Sequence, residues 1–440
     1  LPLKICIAAS GLGHVARGIE AWAADLGAAL AGRGLEVTLC KGGGEAEAVY
    51  ERVLPCWQRD SARTERLLRR LPRRFFWRLG LASGYGIEQT TFAWSLIRHL
   101  RRERIDILHV QDPQVAVLVE RAHRLGLVGA RTILAHGTEE PLDFQRRITY
   151  LQHLAPWHLD EARAAGVWRP TWTAIPNFID SDRFRPGPGE RGAGSGEGAA
   201  GSRERWAGSR GRGAGSREHG AGSGEGLRKE LGIPSDAPVV LVAAAIKRQH
   251  KRIDYLLREF AALRPHPNPL PVGEGTRTGI PLPEGEGRCL PVWLVVAGGW
   301  EKDTDELVAE GKQLLGDRVR FLVRFPRERM PELYRAADLF VLCSLKEMMP
   351  IALLEAAASG LPCLVHKHPV MEWMIGPGGV AIDMTAGGAL AAAMGSLLGD
   401  PARRRALGES ARSHCIEHFG RDRVVDQILA YYEFVMQHDG

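Results

Sequence analysis

Apolar positions in this chain fall into short runs of strand length, separated by stretches of helical spacing. Leu3 to Ala9 is a mostly apolar run, followed by the Gly-rich turn Ser10-Gly11-Leu12-Gly13-His14. A helix from about Ala16 to Ala31, the breaker Gly32-Arg33-Gly34 and a second run over Leu35 to Cys40 complete the pattern. Such runs around one amphipathic helix predict a βαβ unit. Ile105 to Val110 and Ala130 to Ala135 read as further strands around a helix over Val115 to Leu125. Thr171 to Ile175 reads as another strand, ending in Pro176-Asn177-Phe178-Ile179-Asp180. Strands that alternate with helices predict a parallel, doubly wound sheet.

The same alternation restarts at Ala237. Strands are expected over Ala237 to Ala245, Val292 to Ala297, Val319 to Val323, Ala337 to Ser344 and Cys363 to Val365, with a helix over Ile253 to Leu263 and a last amphipathic helix over Val424 to Gln437. Between the two series, residues 186–226 collapse to Gly, Ser, Ala, Arg and Glu, and the run Gly192 to Gly198 recurs at Gly220 to Gly226. A segment so poor in apolar residues cannot bury a core and reads as a disordered linker. A Pro- and Gly-rich insertion at about 264–290 also repeats internally, with Pro269 to Gly275 echoed by Pro281 to Gly287. The expected organisation is a domain over 1–185, the linker over 186–226, a second domain over 227–420 and a terminal helix over 421–440. With 440 residues, two domains agree with the length.

Composition narrows the class only slightly. A hydrophobic content of 45% with 25% charged residues is that of a globular enzyme. No apolar run approaches the roughly 20 residues of a membrane span. The first residues lead directly into the fold rather than forming a signal peptide, although Leu1 is not a usual start. Seven cysteines without a close pair argue for reduced core thiols in a cytoplasmic protein and against a zinc cluster. The net charge of +6 acquires meaning only from its placement.

The chemistry concentrates around two glutamates, Glu347 and Glu355, which bracket Met348-Met349-Pro350-Ile351-Ala352-Leu353-Leu354. Glutamates at this spacing would ordinarily be a solvated pair. Here they sit between two predicted buried strands, and folds of this kind bind ligands at the carboxyl ends of their strands. Pro350 suits the first helical position, and the N-terminus of such a helix attracts phosphate. Glu347 can accept hydrogen bonds from sugar hydroxyls, and Glu355 can take the two hydroxyls of a ribose.

At these residues the sequence resembles the retaining glycosyltransferases of the GT-B fold, family 4. Their second domain carries two glutamates separated by seven residues, ahead of a small-residue helix and a Gly-x-Pro turn, here Gly360-Leu361-Pro362. The resemblance covers nearly the whole chain apart from the two low-complexity segments. It implies an α/β architecture of two Rossmann-like doubly wound domains facing a cleft, with the last helix crossing back onto the first domain. The implied activity is transfer of a sugar from a nucleotide-diphosphate sugar to a hydroxyl acceptor (a glycan or lipid-linked glycan) with retention. The implied route is front-face attack, with the departing phosphate taking the acceptor's proton. Neither a cofactor nor a metal is expected.

By the same resemblance His136, at a strand end, lies beside the reacting sugar with Glu347, and Lys251 grips the diphosphate. Gly11, Gly13, Gly298, Ser344, Met349, Pro350, Ile351 and Glu355 line the donor site. The family's diphosphate arginine is absent at the matching place, Ala245 or Ile246, so Lys247 or Arg248 is the expected substitute. Met349-Pro350 stands where the family has Phe-Gly, which removes one backbone donor. His14, Arg17 and Glu20 either face solvent or bind the acceptor. Tyr334 and Asp338 either lie near the nucleoside or serve packing and capping. The Gly-x-Gly-x-x-Ala pattern at Gly11 also fits a dinucleotide loop, but the second strand ends in Cys40-Lys41 rather than the required acid. His366 and His368 lack the further ligands a metal needs.

Residues 59–78 interleave arginines with Leu67, Leu68, Leu71, Phe75, Phe76 and Trp77, and Arg98 to Arg104 form a second basic cluster. This is either an anionic-membrane contact, placing the protein at the inner face of the cytoplasmic membrane, or an arginine-rich surface helix with its aromatics in the core. No nucleic-acid module accompanies it. Two rival functions remain at this stage, a sugar-nucleotide epimerase of the same fold and a non-catalytic sugar-nucleotide-binding protein.

Overall fold

The computed structural model describes residues 3–15, 17–70, 81–187, 224–263 and 291–438. Most of the low-complexity linker, the 264–290 insertion, and Leu71, Phe75, Phe76 and Trp77 lie outside the described residues.

The first seven strands are β1 (Lys4–Ala9), β2 (Glu36–Lys41), β3 (Glu51–Val53), β4 (Ile107–Val110), β5 (Arg131–His136), β6 (Tyr150–His153) and β7 (Thr173–Ala174). They form one parallel sheet in the order β3-β2-β1-β4-β5-β6-β7. The second sheet contains β8 (Val239–Ala243), β9 (Trp293–Gly298), β10 (Val319–Val323), β11 (Leu339–Leu342), β12 (Cys363–His366) and β13 (Gly379–Ile382), in the order β10-β9-β8-β11-β12-β13. Both sheets therefore reverse their strand order beside their first strand, between β1 and β4 and between β8 and β11. A reversal opens a crevice at the carboxyl ends of the two strands, where doubly wound folds bind ligands.

The central strands are mostly apolar because helices cover both faces of each sheet. In the first domain these are α1 (Gly18–Gly32), α2 (Ala62–Arg70), α3 (Gly84–Glu103), α4 (Pro113–Arg124), α5 (Leu142–Gln145) and α6 (Pro156–Ala164). The second domain opens on α7 (Gly224–Glu230), so it begins three residues before the expected boundary at 227. It continues with α8 (Ile253–Ala261), α9 (Thr304–Leu315), α10 (Met330–Arg335), α11 (Ile351–Ala358), α12 (Pro369–Ile375), α13 (Ala389–Leu398) and α14 (Pro401–Phe419).

The final helix, α15 (Arg421–Gln437), buries Val424, Ile428, Tyr431, Tyr432 and Val435 at helical spacing. It lies against the first domain. Tyr432 Oη is 2.8 Å from His109 Nδ1, Tyr431 donates to the Thr171 carbonyl at 2.6 Å, and Arg33 of α1 reaches Asp422 at 3.3 Å and also Asp426. Burial holds the His109 imidazole down at about 3, so it is neutral.

Two local expectations change. The strand expected over Thr171 to Ile175 shortens to Thr173–Ala174, because Thr171 and Trp172 turn their side chains to the carbonyls of Thr149 and Ile148. Pro350 is not the first helical residue. It occupies the capping position with extended backbone (φ −71°, ψ 115°), and its carbonyl accepts the Leu353 N–H at 3.1 Å.

Tyr432→Ala should lower stability by about 3–5 kcal/mol, and Tyr432→Phe, which strands a buried imidazole nitrogen, by about 1–3 kcal/mol. Urea unfolding followed by tryptophan fluorescence checks the order of the two variants.

Candidate functional site

The switch point of the second sheet brings Lys251 and Glu347 together. The turn after β8 carries Lys251 and the loop after β11 carries Glu347. These residues are 96 positions apart in sequence, yet Lys251 Nζ donates directly to Glu347 Oε1. His250 Nε2 lies 3.6 Å from the same oxygen. Glu347 is buried and Lys251 nearly so, which suits ions only when they are paired. Ser344, fully buried at the end of β11, leaves its hydroxyl without a hydrogen-bond partner.

Glu355 sits one turn inside α11, buried, and accepts a 2.7 Å hydrogen bond from Tyr334. Burial pushes its carboxyl up to about 7, against the Tyr334 hydrogen bond and the nearby Arg327 and Arg183. Gly298 ends β9, and its carbonyl accepts the Arg324 N–H at 2.8 Å.

The cations expected to replace the missing diphosphate arginine each have a carboxylate nearby. Arg248 pairs with Glu310 at 2.8 Å and lies 3.8 Å from Glu306, both on α9, while Lys247 Nζ stands 4.0 Å from Glu301. Ile246, at the matching position itself, is fully buried in the core. Asp338 precedes β11, so it lies at the end of the sheet away from Glu347. There it accepts from the Arg228 guanidinium and the Val239 amide, both at 2.8 Å, which is a structural role. His366 and His368 also serve the backbone, accepting the amides of Met384 and Val370.

Across the cleft, His136 ends β5 beside His153 of β6, with which it is in register, the two rings edge to face at 5.6 Å. His136 Nε2 is 3.4 Å from Glu140. His158 of α6 reaches the Met348 carbonyl at 3.3 Å, so the first domain touches the Glu347 loop. Burial holds His153 at about 3 and His158 at about 4, so both are neutral. Asn177 makes a second bridge, its backbone amide 3.1 Å from the Met349 sulfur and its side-chain amide 3.4 Å from the Met349 carbonyl. The two helix N-termini also come near one another, since a Cβ added at Gly18 of α1 would stand 3.8 Å from the Ile351 side chain of α11.

The loop after β1 needs its glycines. Gly13 has φ +95°, and a side chain there would run into the Gly43 carbonyl; at Gly11 it would meet Glu20. His14 and Arg59 both bind Glu88 of α3, and Arg17 binds Glu20. Sequence reasoning did not single out Glu88, Asp112, Tyr85 or His153. The basic residues divide, because Arg59 lies near the start of α3 and Arg101 and Arg102 near its end, about 20 Å away at 1.5 Å per residue. Among the described residues no helix is long and apolar enough to cross a membrane.

Residues 16–183 match the family model for Glycosyltransferase Family 4, and residues 224–414 match that for Glycosyl transferases group 1. The chain belongs to the family 4 glycosyltransferases of the GT-B fold. It is 33% identical over 216 residues to a D-inositol 3-phosphate glycosyltransferase of Salinispora tropica, across 48% of this chain and 41% of that protein. It is 28% identical over 216 residues to an N-acetyl-alpha-D-glucosaminyl L-malate synthase of Bacillus anthracis, across 48% and 50%. The matched segment thus spans half or less of each of these relatives. In fold it is similar to a sucrose-phosphate synthase from Thermosynechococcus elongatus, with a TM-score of 0.70, 17% identity and 99% of both chains covered. The Anabaena protein HepE in complex with UDP-glucose gives a TM-score of 0.66 at 14% identity, covering 98% of this chain and all of HepE.

The buried carboxyl of Glu355 makes stability depend on pH. Its value is higher folded (about 7) than unfolded (4.5), so the folded state holds the extra proton and stability falls as pH rises from about 5 to 7. Glu355→Gln should flatten this dependence and stabilise the protein at pH 8 by up to about 3 kcal/mol, as read from thermal unfolding at pH 5 and pH 8.

Proposed function

We propose that this chain is a retaining glycosyltransferase that moves a sugar from a nucleoside-diphosphate sugar to a hydroxyl of a glycan or lipid-linked glycan. The observation that carries this reading is the buried Lys251–Glu347 pair at the switch point of the second sheet, in the loop that leads into α11 and Glu355. In this reading Glu355 accepts the ribose hydroxyls. Lys251 faces the diphosphate, helped by the N-terminus of α11 at Ile351. Pro350, lacking an N–H, contributes no amide, so the site relies on fewer donors than a Phe-Gly pair would allow. Glu347 accepts hydroxyls of the donor sugar, and His136 closes the site from the first domain.

The reaction needs no protein nucleophile. The bond from the anomeric carbon to the leaving phosphate oxygen breaks, the acceptor oxygen bonds that carbon on the same face, and the acceptor's proton passes to the departing phosphate. The protein supplies position and a cation where negative charge grows. The N-termini of α1 and α11, which come near one another at Gly18 and Ile351, add two more positive ends there. With a lipid-linked acceptor, residues 59–78 are the segment that would meet an anionic membrane at the cytoplasmic face. The second cluster lies at the other end of α3 from Arg59.

Titration with UDP, GDP and ADP and their sugar conjugates, followed by thermal stability, should show stabilisation by one base, and Glu355→Ala should abolish it. A folded protein stabilised by none of them would contradict the donor site. Lys251→Ala should lower kcat about 10²–10³-fold, the usual cost of removing one charge-stabilising donor, while the protein stays folded by circular dichroism.

A further inference from the structure

The end of the first sheet opposite the cleft carries a groove that sugar transfer does not use. Ile105 and Asp106 lead into β4 and Val128 comes shortly before β5, so the groove lies at the amino ends of these strands. It encloses about 370 Å³ between the last turn of α3 and the turn after α4. Leu100, Ile105 and Val128, all buried, form its floor, and Leu127, 46% exposed, forms one edge. Arg101 and Arg104 line the other edge. The Asp106 carboxylate also lines the groove and accepts the Lys4 amide at 2.8 Å. A strip along α3 continues it. Trp94, 61% exposed, is followed at helical spacing by the exposed Arg98, Arg101 and Arg102, over about 12 Å.

These arginines have no counter-ion in the chain. Among the described residues, Arg98, Arg101, Arg102 and Arg104 make no ion pair, unlike Lys251 or Arg59. The dipole of α3 favours Arg101 and Arg102 in its last turn. It does not explain Arg104. That residue ends α3 in the left-handed conformation, with φ 53° and ψ 53°, where glycine costs least. The left-handed residue that ends α4 is Gly126 and the one that ends α6 is Gly166. Arg104 therefore holds a strained backbone while its guanidinium binds nothing in the chain, which leaves it for an external ligand.

The lining selects the chemistry of that ligand. The arginines call for negative charge, Asp106 calls for an N–H or O–H donor, and the floor calls for an apolar side chain. An ionised phosphate diester brings the charge without a donor. An acidic stretch of polypeptide brings carboxylates, backbone amides and apolar side chains together. We propose that the groove and the strip along α3 dock an acidic polypeptide segment of a partner protein. Its carboxylates pair with Arg101 and Arg104, and one of its aliphatic or aromatic side chains sits on Leu100, Ile105 and Val128. Because the groove lies at the far end of the strands, the docked segment leaves the cleft open to nucleotide.

The test selects binders to the whole protein from a phage-displayed library of random peptides and measures the selected peptides by fluorescence anisotropy. They should be rich in aspartate and glutamate around a leucine, isoleucine, phenylalanine or tryptophan. Their affinity should fall with added salt and stay the same with UDP present. Arg101→Glu combined with Arg104→Glu should weaken them by about tenfold or more, the scale of losing two surface charge contacts. Leu127→Ser should weaken them too. Arg66→Glu combined with Arg69→Glu, the same change of charge placed on α2, should leave the affinity nearly unchanged. Arg104→Gly should weaken binding without lowering the unfolding midpoint, because glycine relieves the left-handed residue. A lowered midpoint would make Arg104 structural and contradict the proposal. Selection of no peptide, selection without acidic bias, or full affinity in the Arg101→Glu, Arg104→Glu protein overturns it. Sedimentation with phosphatidylglycerol-containing vesicles that this double variant abolishes, with no acidic peptide selected, would assign the face to a lipid surface instead.

Discussion

The pairing of Lys251 with Glu347 is the constraint on which the donor half depends. Two charges this far from water are tolerated only together. They meet because β8 and β11 are neighbours in the sheet although 96 residues separate the pair. The strand order 3-2-1-4-5-6 within the second domain is thus the device that delivers a cation and a carboxylate to one point. Once there, the lysine is held in place by the carboxylate, and an arriving diphosphate finds it already oriented and largely stripped of water. That is the arrangement in which a fixed charge is most effective at a reacting centre.

The first domain secures this point from outside. His158 and Asn177 hold the carbonyls of Met348 and Met349, so the loop that carries Glu347 is fixed by both halves of the molecule. The neutrality of His153 and His158 follows from burial, and it keeps further positive charge away from Glu347. Helix α15 ties the end of the second domain back to β4 through Tyr432 and His109. The two sheets therefore present their switch points to one another. One is organised around a single cation–carboxylate pair, the other around the paired Arg17 and Glu20 and the joined His14, Arg59 and Glu88.

The fold was largely legible because a buried parallel strand announces itself as an apolar run. β1, β5, β8, β9, β10 and β12 all appear in the sequence that way. β6 did not, because its run Tyr150-Leu151-Gln152-His153 contains two polar residues that are buried for the site's sake. The glutamate pair was legible because its neighbours are small and apolar. Glu88 and Asp112 were not, since each gains meaning only from partners such as Arg59 and Ser10, brought close by the fold. The Arg248–Glu310 pair was not legible either, because α9 reaches the turn after β8 only in the folded chain. Pro350 missed the expected helical position by one residue, within the ordinary uncertainty of helix ends.

The most direct test of the Lys251–Glu347 site is a calorimetric comparison of UDP with uridine, in the wild type and in Lys251→Ala. The account predicts that the wild type binds the diphosphate far more tightly than the nucleoside, and that Lys251→Ala removes most of this difference while leaving uridine affinity unchanged. An undiminished preference for UDP in Lys251→Ala would contradict it, because the diphosphate would then be held somewhere other than at this pair.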